Sequence, residues 1–252
     1  MSITHPQKPD LKQVMENQNE LEEYLHLASH ELKGPLRKIK TFAELFRKDS
    51  SELLNKDSAV YLERLMKNIY CMQALLDDLT DFTTFNAGNV CESCDLTKIF
   101  EKAIKYFEPF NANEKPLINA GALPFVNGNA DSLKEVFKAL ISNSLKFRSP
   151  DRPLQITISS EEISEEQKND YGLLADVKYQ KINFADNGIG FNHEDEERIF
   201  KPFVRLNGKS AFKGNGLGLA LCKKILDAHN GIIYASGNQS GCCITLILPI
   251  SG

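Results

Sequence analysis

The sequence predicts an α-helical hairpin that dimerises into a four-helix bundle, followed by a domain of the α+β sandwich class. Up to residue 86, apolar side chains recur every three or four positions, which is the spacing of amphipathic helices. Beyond it, helical stretches mix with short alternating stretches that are typical of strands. The run Asn86-Ala87-Gly88-Asn89 breaks the helical pattern between the two parts. These observations divide the chain into a disordered leader (1–10), a helical hairpin (11–86), a linker (87–94) and a second domain (95–252).

The composition is that of a globular chain, with 252 residues of which 42% are hydrophobic and 25% charged. The net charge of -4, without a basic face, argues against nucleic acid as a partner. The apolar runs are much shorter than the roughly 20 residues of a membrane span, so we expect no membrane span in this chain. The polar first residues do not resemble a signal peptide and the six cysteines are scattered, so we expect a cytoplasmic protein with reduced thiols. The close pair Cys91 and Cys94 is either a metal or redox site or a pair of reduced thiols.

The first helix is predicted over residues 11–48, which contain one glycine, Gly34, and one proline, Pro35. Its apolar face consists of Leu21, Leu25, Ala28, Leu32, Leu36, Ile39, Ala43 and Phe46. His30 lies off that face, so we expect the imidazole to face solvent or a partner. A proline inside a helix removes a backbone hydrogen bond at a cost of about 3 kcal/mol. Pro35 close to His30 and Glu31 indicates either a functional histidine or a surface histidine near a helix bend.

The second helix is predicted over residues 59–84, with Ser58 as a candidate N-cap after a polar turn. Its apolar face consists of Leu62, Leu65, Ile69, Met72, Leu76, Leu79 and Phe82. Two amphipathic helices joined by a short turn form an antiparallel hairpin, but one hairpin leaves apolar surface uncovered. Pairing of two hairpins around a two-fold axis covers that surface, so we predict a homodimer. The alternative is a hairpin that packs on its own C-terminal domain.

The second domain is predicted to be a mixed sheet with helices on one face. The predicted helices are 95–106, 131–147, a short helix 194–200 and 217–228. The predicted strands are 117–120, 125–126, 154–160, 177–184, 232–236 and 242–248. Asn129 or Asp131 is expected to cap the second of these helices. The acidic segment 161–176 is predicted to be a long excursion between two strands.

Two motifs on this domain carry side chains that suit ligand binding. Asn143 and Lys146 lie one turn apart on a helix, where an amide oxygen can bind a hard cation and an ammonium can meet phosphate, although such pairs are also common on helix surfaces. The run Asp186-Asn187-Gly188-Ile189-Gly190 follows an apolar strand. Its glycines allow a planar ligand to approach, and its carboxylate can accept a hydrogen bond from an exocyclic amine. The alternative is an ordinary turn.

A third motif is the run Gly214-Asn215-Gly216-Leu217-Gly218-Leu219, which opens a helix. A glycine-rich loop at a helix N-terminus suits phosphate. No predicted strand precedes this loop and it lacks Gly-Lys-Ser/Thr, so dinucleotide-binding and P-loop sites are disfavoured.

The order of these motifs, together with Phe200-Lys201-Pro202-Phe203, resembles a two-component sensor histidine kinase over about residues 15 to 250. More loosely, it resembles the wider ATPase superfamily that includes gyrase, Hsp90 and MutL. The resemblance implies that the hairpin is a dimerisation and histidine-phosphotransfer domain. It implies that the rest is an ATP-binding domain of the gyrase, Hsp90 and histidine-kinase type.

The resemblance implies a role for each matching position. His30 would be the phosphoacceptor, and Glu31 would accept its proton or orient its ring. Asn143 would hold Mg²⁺, which bridges the ATP phosphates. The remaining implied ATP contacts are Lys146 to the phosphates, Phe147 beside the nucleotide, Asp186 to the adenine amino group, and Gly188 and Gly190 around the pocket. The implied phosphate donor is ATP, and the implied phosphate receiver is an aspartate of a response regulator.

Residues 191–213 correspond to the family's ATP lid, which would carry Phe200, Phe203 and Arg205 over the ligand. The implied hinge and phosphate loop consists of Gly214, Gly216, Leu217 and Gly218. The alternative for Phe200 and Phe203 is simple packing at the root of the lid, and both interpretations are compatible. Pro35 would let the bundle bend as His30 is offered and withdrawn.

Two positions depart from the family pattern. Gly34 stands four residues after His30, where many members carry Thr or Asn that positions a water for dephosphorylating the regulator. We therefore expect weak phosphatase activity. Ala139 stands four residues before Asn143, where many kinases have Asn and the hydrolysing relatives have a catalytic Glu. This disfavours an ATPase clamp and leaves one alternative to a kinase, an ATP-binding signalling scaffold with poor transfer.

The chain is expected to be either the output half of a longer receptor with an upstream sensor domain, or a kinase controlled by partner proteins.

Overall fold

The computed structural model describes residues 11–50, 55–85, 92–107, 116–206 and 215–250. The chain divides into two compact units, residues 1–85 and 86–252. The predicted leader, most of the predicted linker, Cys91 and Gly214 lie outside the described residues. Among the described helices, none is long and apolar enough to cross a bilayer.

The first unit is the predicted hairpin. Helix α1 spans Leu11–Asp49 and helix α2 spans Lys56–Thr84, and Pro35 lies within α1 without ending it. Their shared core consists of Leu36, Ala43, Met66, Ile69 and Leu76, flanked by Leu62. Lys33 pairs with Asp77 across the hairpin at 2.9 Å. The predicted cap of α2 is wrong: the Asn55 carboxamide accepts from the Ser58 amide at 2.8 Å, so Ser58 lies inside the first turn.

The second unit is built on a mixed sheet, as predicted. Its described strands are β1 Glu92–Asp95, β2 Leu117–Ala120, β3 Phe125–Gly128, β4 Gln155–Glu162, β5 Tyr179–Asp186, β6 Ile232–Asn238 and β7 Gly241–Pro249. Five of them form a sheet in the order β2-β4-β5-β7-β6, in which β2 and β4 are parallel and the other pairs antiparallel. Strand β1 pairs with β3 and begins at residue 92, inside the predicted linker. The buried Cys94 side chain explains this, since it packs on β3 and donates to the Gly128 carbonyl at 3.3 Å.

Helices α3 Leu96–Phe107, α4 Ala130–Lys146 and α6 Gly218–Ala228 pack together, with α4 between the other two. The T-shaped rings of Phe100 and Phe137, 5.4 Å apart, join α3 to α4. Asn129 is the N-cap of α4, accepting from the Ser132 amide at 2.9 Å. The predicted short helix 194–200 consists of two single 3₁₀ turns, His193–Asp195 and Arg198–Phe200.

A buried histidine ties α4 to α6. The Nδ1 atom of His229, just after α6, donates to the Ile225 carbonyl at 2.7 Å. Its Nε2 atom accepts from the Asn129 amide at 3.0 Å, where α4 begins. The end of α6 and the start of α4 therefore meet at one imidazole that is 2% exposed.

The prediction of helices on one face alone is wrong for the segment after β4. Helix α5, Glu165–Tyr171, starts with a capping box between Ser164 and Gln167. Tyr171 stacks on Tyr234 of β6, in the same cluster as the buried Ile247. Ile247 alternates along β7 with core residues such as Leu246, so this cluster lies on the opposite face of the sheet.

Candidate functional site

The Asp186 carboxylate at the end of β5 accepts three hydrogen bonds. Its Oδ1 atom accepts from the Gly188 amide at 2.9 Å. Its Oδ2 atom accepts from the Ser144 hydroxyl of α4 at 2.7 Å and from the Cys242 thiol of β7 at 3.2 Å. Asp186 and Cys242 are direct cross-strand partners. Three elements of the domain thus hold one half-buried carboxylate.

The turn after Asp186 is packed tightly against its neighbours. The Ile189 amide donates to the Phe147 carbonyl at 2.9 Å, and a Cβ on Gly188 would lie 2.5 Å from the same oxygen. Gly190 has φ 65°, and a Cβ there would overlap the Asn238 carbonyl. Both glycines are therefore required by backbone packing, a reason that the sequence pattern alone did not reveal.

Arg152, which no sequence motif singled out, fixes the same turn from outside. Its Nε donates to the Asn187 carbonyl at 2.7 Å, and its guanidinium also donates to the Gly188 carbonyl at 2.8 Å and the Ser240 carbonyl at 3.1 Å. The Asn187 carboxamide oxygen also accepts a hydrogen bond from the Gln155 amide at 2.8 Å. The turn that carries Asp186 is thereby tied to the β6–β7 turn and to the start of β4.

The last turn of α4 carries Asn143, Lys146 and the adjoining Phe147. All three are half-buried, and the Lys146 ammonium lies 4.3 Å from the centroid of the Phe147 ring. No hydrogen bond engages the Asn143 side chain within the described residues. The same part of the chain holds no group of three His, Cys, Asp or Glu side chains that could bind a metal. The Asn143 amide oxygen is the kind of ligand that a hard cation such as Mg²⁺ would accept.

The start of α6 faces the middle of α4. A Cβ on Gly218 would lie 3.8 Å from the Ala139 Cβ, and Leu217 just before it is 2% exposed. The first amides of a helix have no partner within the helix, so this end can bind an anion. The described part of the glycine loop thus opens toward the helix that carries Asn143.

Within residues 191–206, the described part of the predicted lid, the named side chains differ in burial. Phe200 is 8% exposed and packs against α6, whereas Phe203 is 52% exposed, and Arg205 is also exposed. Phe200 is thus accounted for by packing at the root, and Phe203 is open to solvent. Residues 207–214, with Gly214, lie outside the described part of the chain.

His30 is on the outer side of α1, as its position off the apolar face predicts. The side chains of His30 and Glu31 are 78% and 76% exposed, and the His30 Nδ1 atom lies 4.0 Å from the Glu31 carboxylate. Pro35 has no N–H, so the Glu31 carbonyl lacks its usual partner in the helix. A Cβ on Gly34, one turn after His30, would meet nothing within 4 Å.

Comparison with known families agrees with this architecture. The HisKA family, His Kinase A (phospho-acceptor) domain, matches residues 20–88. The HATPase_c family, histidine kinase-, DNA gyrase B- and HSP90-like ATPase, matches residues 128–252. The fold and the site define a chain that joins a phospho-acceptor hairpin to an ATPase domain of this type. The chain belongs to the two-component sensor histidine kinases.

Similar curated proteins include cyanobacterial phytochrome A of Nostoc sp., 28% identical over 235 residues, which cover 92% of this chain and 29% of that protein. Another is the cell-division control histidine kinase PdhS of Brucella ovis, 27% identical over 256 residues, or 94% of this chain and 23% of that protein. The chain therefore spans less than a third of the length of these relatives.

Solved structures share the fold. Full-length ShkA in complex with AMPPNP has a TM-score of 0.65 at 19% identity, over 91% of this chain and 46% of that one. The Acinetobacter baumannii histidine kinase AdeS has a TM-score of 0.54 at 21% identity, over 88% of this chain and 98% of that one.

Proposed function

We propose that this chain binds ATP in its second unit, phosphorylates His30 and passes the phosphoryl group to an aspartate of a response-regulator receiver domain. The observation that carries the proposal is a solvent-exposed His30 beside Glu31 on a hairpin of the phospho-acceptor family, in a chain whose ATPase domain holds Asp186 in place. Since ATP and receiver domains are cytoplasmic, we place the chain in the cytoplasm.

Each site residue has a task in ATP binding. Asp186 accepts a hydrogen bond from the adenine amino group. Lys146 leaves the Phe147 ring to meet phosphate, and the first amides of α6, from Gly218, bind phosphate oxygens. Asn143 would hold Mg²⁺, which would supply positive charge beside the phosphates. The AMPPNP complex of ShkA, a protein of similar fold, supports a nucleotide in this domain.

The geometry at His30 suits attack on phosphorus. Its Nδ1 atom faces Glu31, which leaves Nε2 as the nucleophile. As the bond from Nε2 to the γ-phosphorus forms, the bond from that phosphorus to the β,γ-bridging oxygen breaks and ADP leaves. The Nδ1 proton passes to the Glu31 carboxylate, so the product histidine carries no net positive charge.

The decisive experiment incubates the full chain with γ-labelled ATP and Mg²⁺ and tests for acid-labile, base-stable label. Label is expected on the wild type and absent from His30→Gln. His26→Gln is the matched control, since His26 lies one turn earlier on α1 and contacts Thr83 at 3.4 Å. Label that survives His30→Gln and disappears with His26→Gln contradicts the assignment.

We also propose a homodimer through the hairpin. Large apolar side chains remain exposed along both helices of the single hairpin. They include Leu21, Tyr24, Leu32, Ile39, Phe42 and Phe46 of α1, and Tyr61, Leu65, Met72 and Leu75 of α2. A second hairpin related by a two-fold axis would cover this surface. Light scattering should detect a dimer for the wild type and a monomer for Leu65→Glu. Val60→Glu, five residues earlier and about 140° around α2, should remain dimeric.

The second candidate is an ATP-binding scaffold with poor transfer. Ala139 favours it, because a methyl group faces the start of α6 at the position where many family members supply a second amide. Wild-type protein that binds ATP in titrations but carries no label would support the scaffold. Label on His30 excludes it.

A further inference from the structure

We propose that Ser144 and Cys242 are positioning residues that leave one lone pair of Asp186, on Oδ1, for the purine, and that they thereby make the site selective for adenine over 6-oxo purines. This inference rests on the proposed binding of ATP at Asp186. It adds two side chains from two other elements, neither of which the sequence motifs assign to the nucleotide.

The argument begins with the lone pairs of the carboxylate. Each carboxylate oxygen accepts two hydrogen bonds in its plane. On Oδ2, the Ser144 hydroxyl at 2.7 Å and the Cys242 thiol at 3.2 Å occupy both places. On Oδ1, the Gly188 amide at 2.9 Å occupies one. One acceptor position on Oδ1 remains, which is what a single exocyclic N–H of adenine requires.

The thiol acts as a donor. Burial, followed by the charge of Asp186, raises the pKa of the Cys242 thiol far above its usual range, so the thiol stays protonated at neutral pH. Ser144 is 1% exposed, so water does not readily replace its hydroxyl as the donor to Asp186 Oδ2 when the hydroxyl is removed. Both donors therefore fix the plane of the carboxylate.

A fixed carboxylate discriminates between purines. Adenine presents an N–H donor at position 6, whereas hypoxanthine and guanine present a carbonyl oxygen that the carboxylate repels. A carboxylate that can turn would reach the N1–H donor of a 6-oxo purine instead. Loss of either donor should therefore weaken ATP binding and, above all, reduce the preference for ATP over inosine triphosphate.

Neighbouring cysteines on β7 provide a matched pair of variants. Cys242 faces Asp186, whereas Cys243 points to the other face of the sheet, where its sulfur lies 4.0 Å from the Thr245 hydroxyl. Cys242→Ala removes the donor, and Cys242→Ser keeps one at the same position. Cys243→Ala removes an equal number of atoms from the same strand without touching the carboxylate.

The experiment measures Kd for ATP and for inosine triphosphate by calorimetric titration of the full chain, with the melting temperature of each variant. Cys242→Ala and Ser144→Ala should each lower the ratio of the two affinities by about tenfold, a change expected for loss of one bond to a charged acceptor. Cys242→Ser should restore most of the ratio, and Cys243→Ala should leave it unchanged. A purely structural role would lower the melting temperature and leave the ratio intact.

Asp186→Asn separates this inference from the proposed function. If Asp186→Asn loses the preference for ATP while Cys242→Ala and Ser144→Ala keep it, the positioning role is wrong and the adenine site stands. If Asp186→Asn binds ATP as the wild type does, the adenine site itself is wrong. Should Ser144→Ala fail to fold, the comparison of Cys242→Ala with Cys242→Ser decides, because Cys242 is only half-buried.

Discussion

The Phe203 amide donates a 3.0 Å hydrogen bond to the Gly216 carbonyl, and both residues have left-handed backbone, with φ 63° and 73°. For a phenylalanine this conformation costs on the order of 1 kcal/mol, so the surrounding contacts must favour it. The pair closes the base of the segment 204–215 directly before α6. The start of α6 is thus tied to the chain segment that leads into Arg205.

Gly216→Ala should weaken ATP binding by about tenfold or more. A Cβ at this position would lie 2.6 Å from the Val204 carbonyl, and the positive φ adds strain. The chain segments around Val204 and Gly216 must therefore move apart. Nucleotide titration measures the effect. Gly172→Ala is the control, because Gly172 has φ 65° but a Cβ there meets nothing within 4 Å. Equal affinities for the two variants would refute the importance of this contact.

Arg152→Ala should raise the KM for ATP about tenfold in autophosphorylation, with little change in kcat. The substitution removes the bonds to the Asn187, Gly188 and Ser240 carbonyls and loosens the turn that carries Asp186. Arg152→Lys keeps the positive charge but loses the several N–H donors of the planar guanidinium. It should therefore recover only part of the ATP affinity that Arg152→Ala loses. Full recovery with lysine would mean that the charge matters and the several donors do not.

Gly34→Asn should give the protein phosphatase activity toward a phosphorylated regulator. The side chain would stand one turn after His30 in open space, so the helix tolerates it and gains a few tenths of a kcal/mol over glycine. The measurement follows loss of phosphate from the regulator without ADP, which excludes back-transfer. Gly34→Ala is the control. Rapid loss with the wild type would show that the expectation of weak phosphatase activity is wrong.

Phe137→Ala should destabilise the second unit by about 3–5 kcal/mol and leave the hairpin untouched. Phe137 is 1% exposed and packs edge-on against Phe100, whereas the hairpin has its own core. Calorimetry should resolve a transition that moves to lower temperature and one that does not. Phe125→Ala, at a side chain that is 54% exposed, should change neither. A shift of both transitions would indicate that the units unfold together.

Periodicity was sufficient for most of the fold. The helical hairpin, the mixed sheet and the outward position of His30 follow from where apolar residues recur, which is a local property of the sequence. Helix α5 was missed because its stabilising contact, Tyr171 on Tyr234, joins residues far apart in the chain. The cap of α2 was misplaced because several polar residues precede that helix and the sequence does not rank them.

The sequence motifs identified the candidate site residues but not the side chains that hold them in position. Asp186 was singled out because Gly188 and Gly190 follow it. The hydrogen bond from Cys242 could not be predicted, because it depends on the register between β5 and β7. Arg152 lies in a turn without a periodic pattern, so nothing in the sequence points to its three carbonyl partners. Gly190 was assigned to ligand approach, whereas its close neighbour is the backbone of Asn238.

The imidazole of His229 has an electrostatic consequence. It joins the end of α6 to the start of α4, and the start of α6 lies beside the middle of α4, so the two helices run in opposite directions. The aligned peptide dipoles give the first end roughly half a positive charge and the last turn of α4 roughly half a negative one. The two partial charges thus lie about one helical turn apart along α4, a separation that suits a ligand with both signs of charge, such as an anionic phosphate chain with its metal cation.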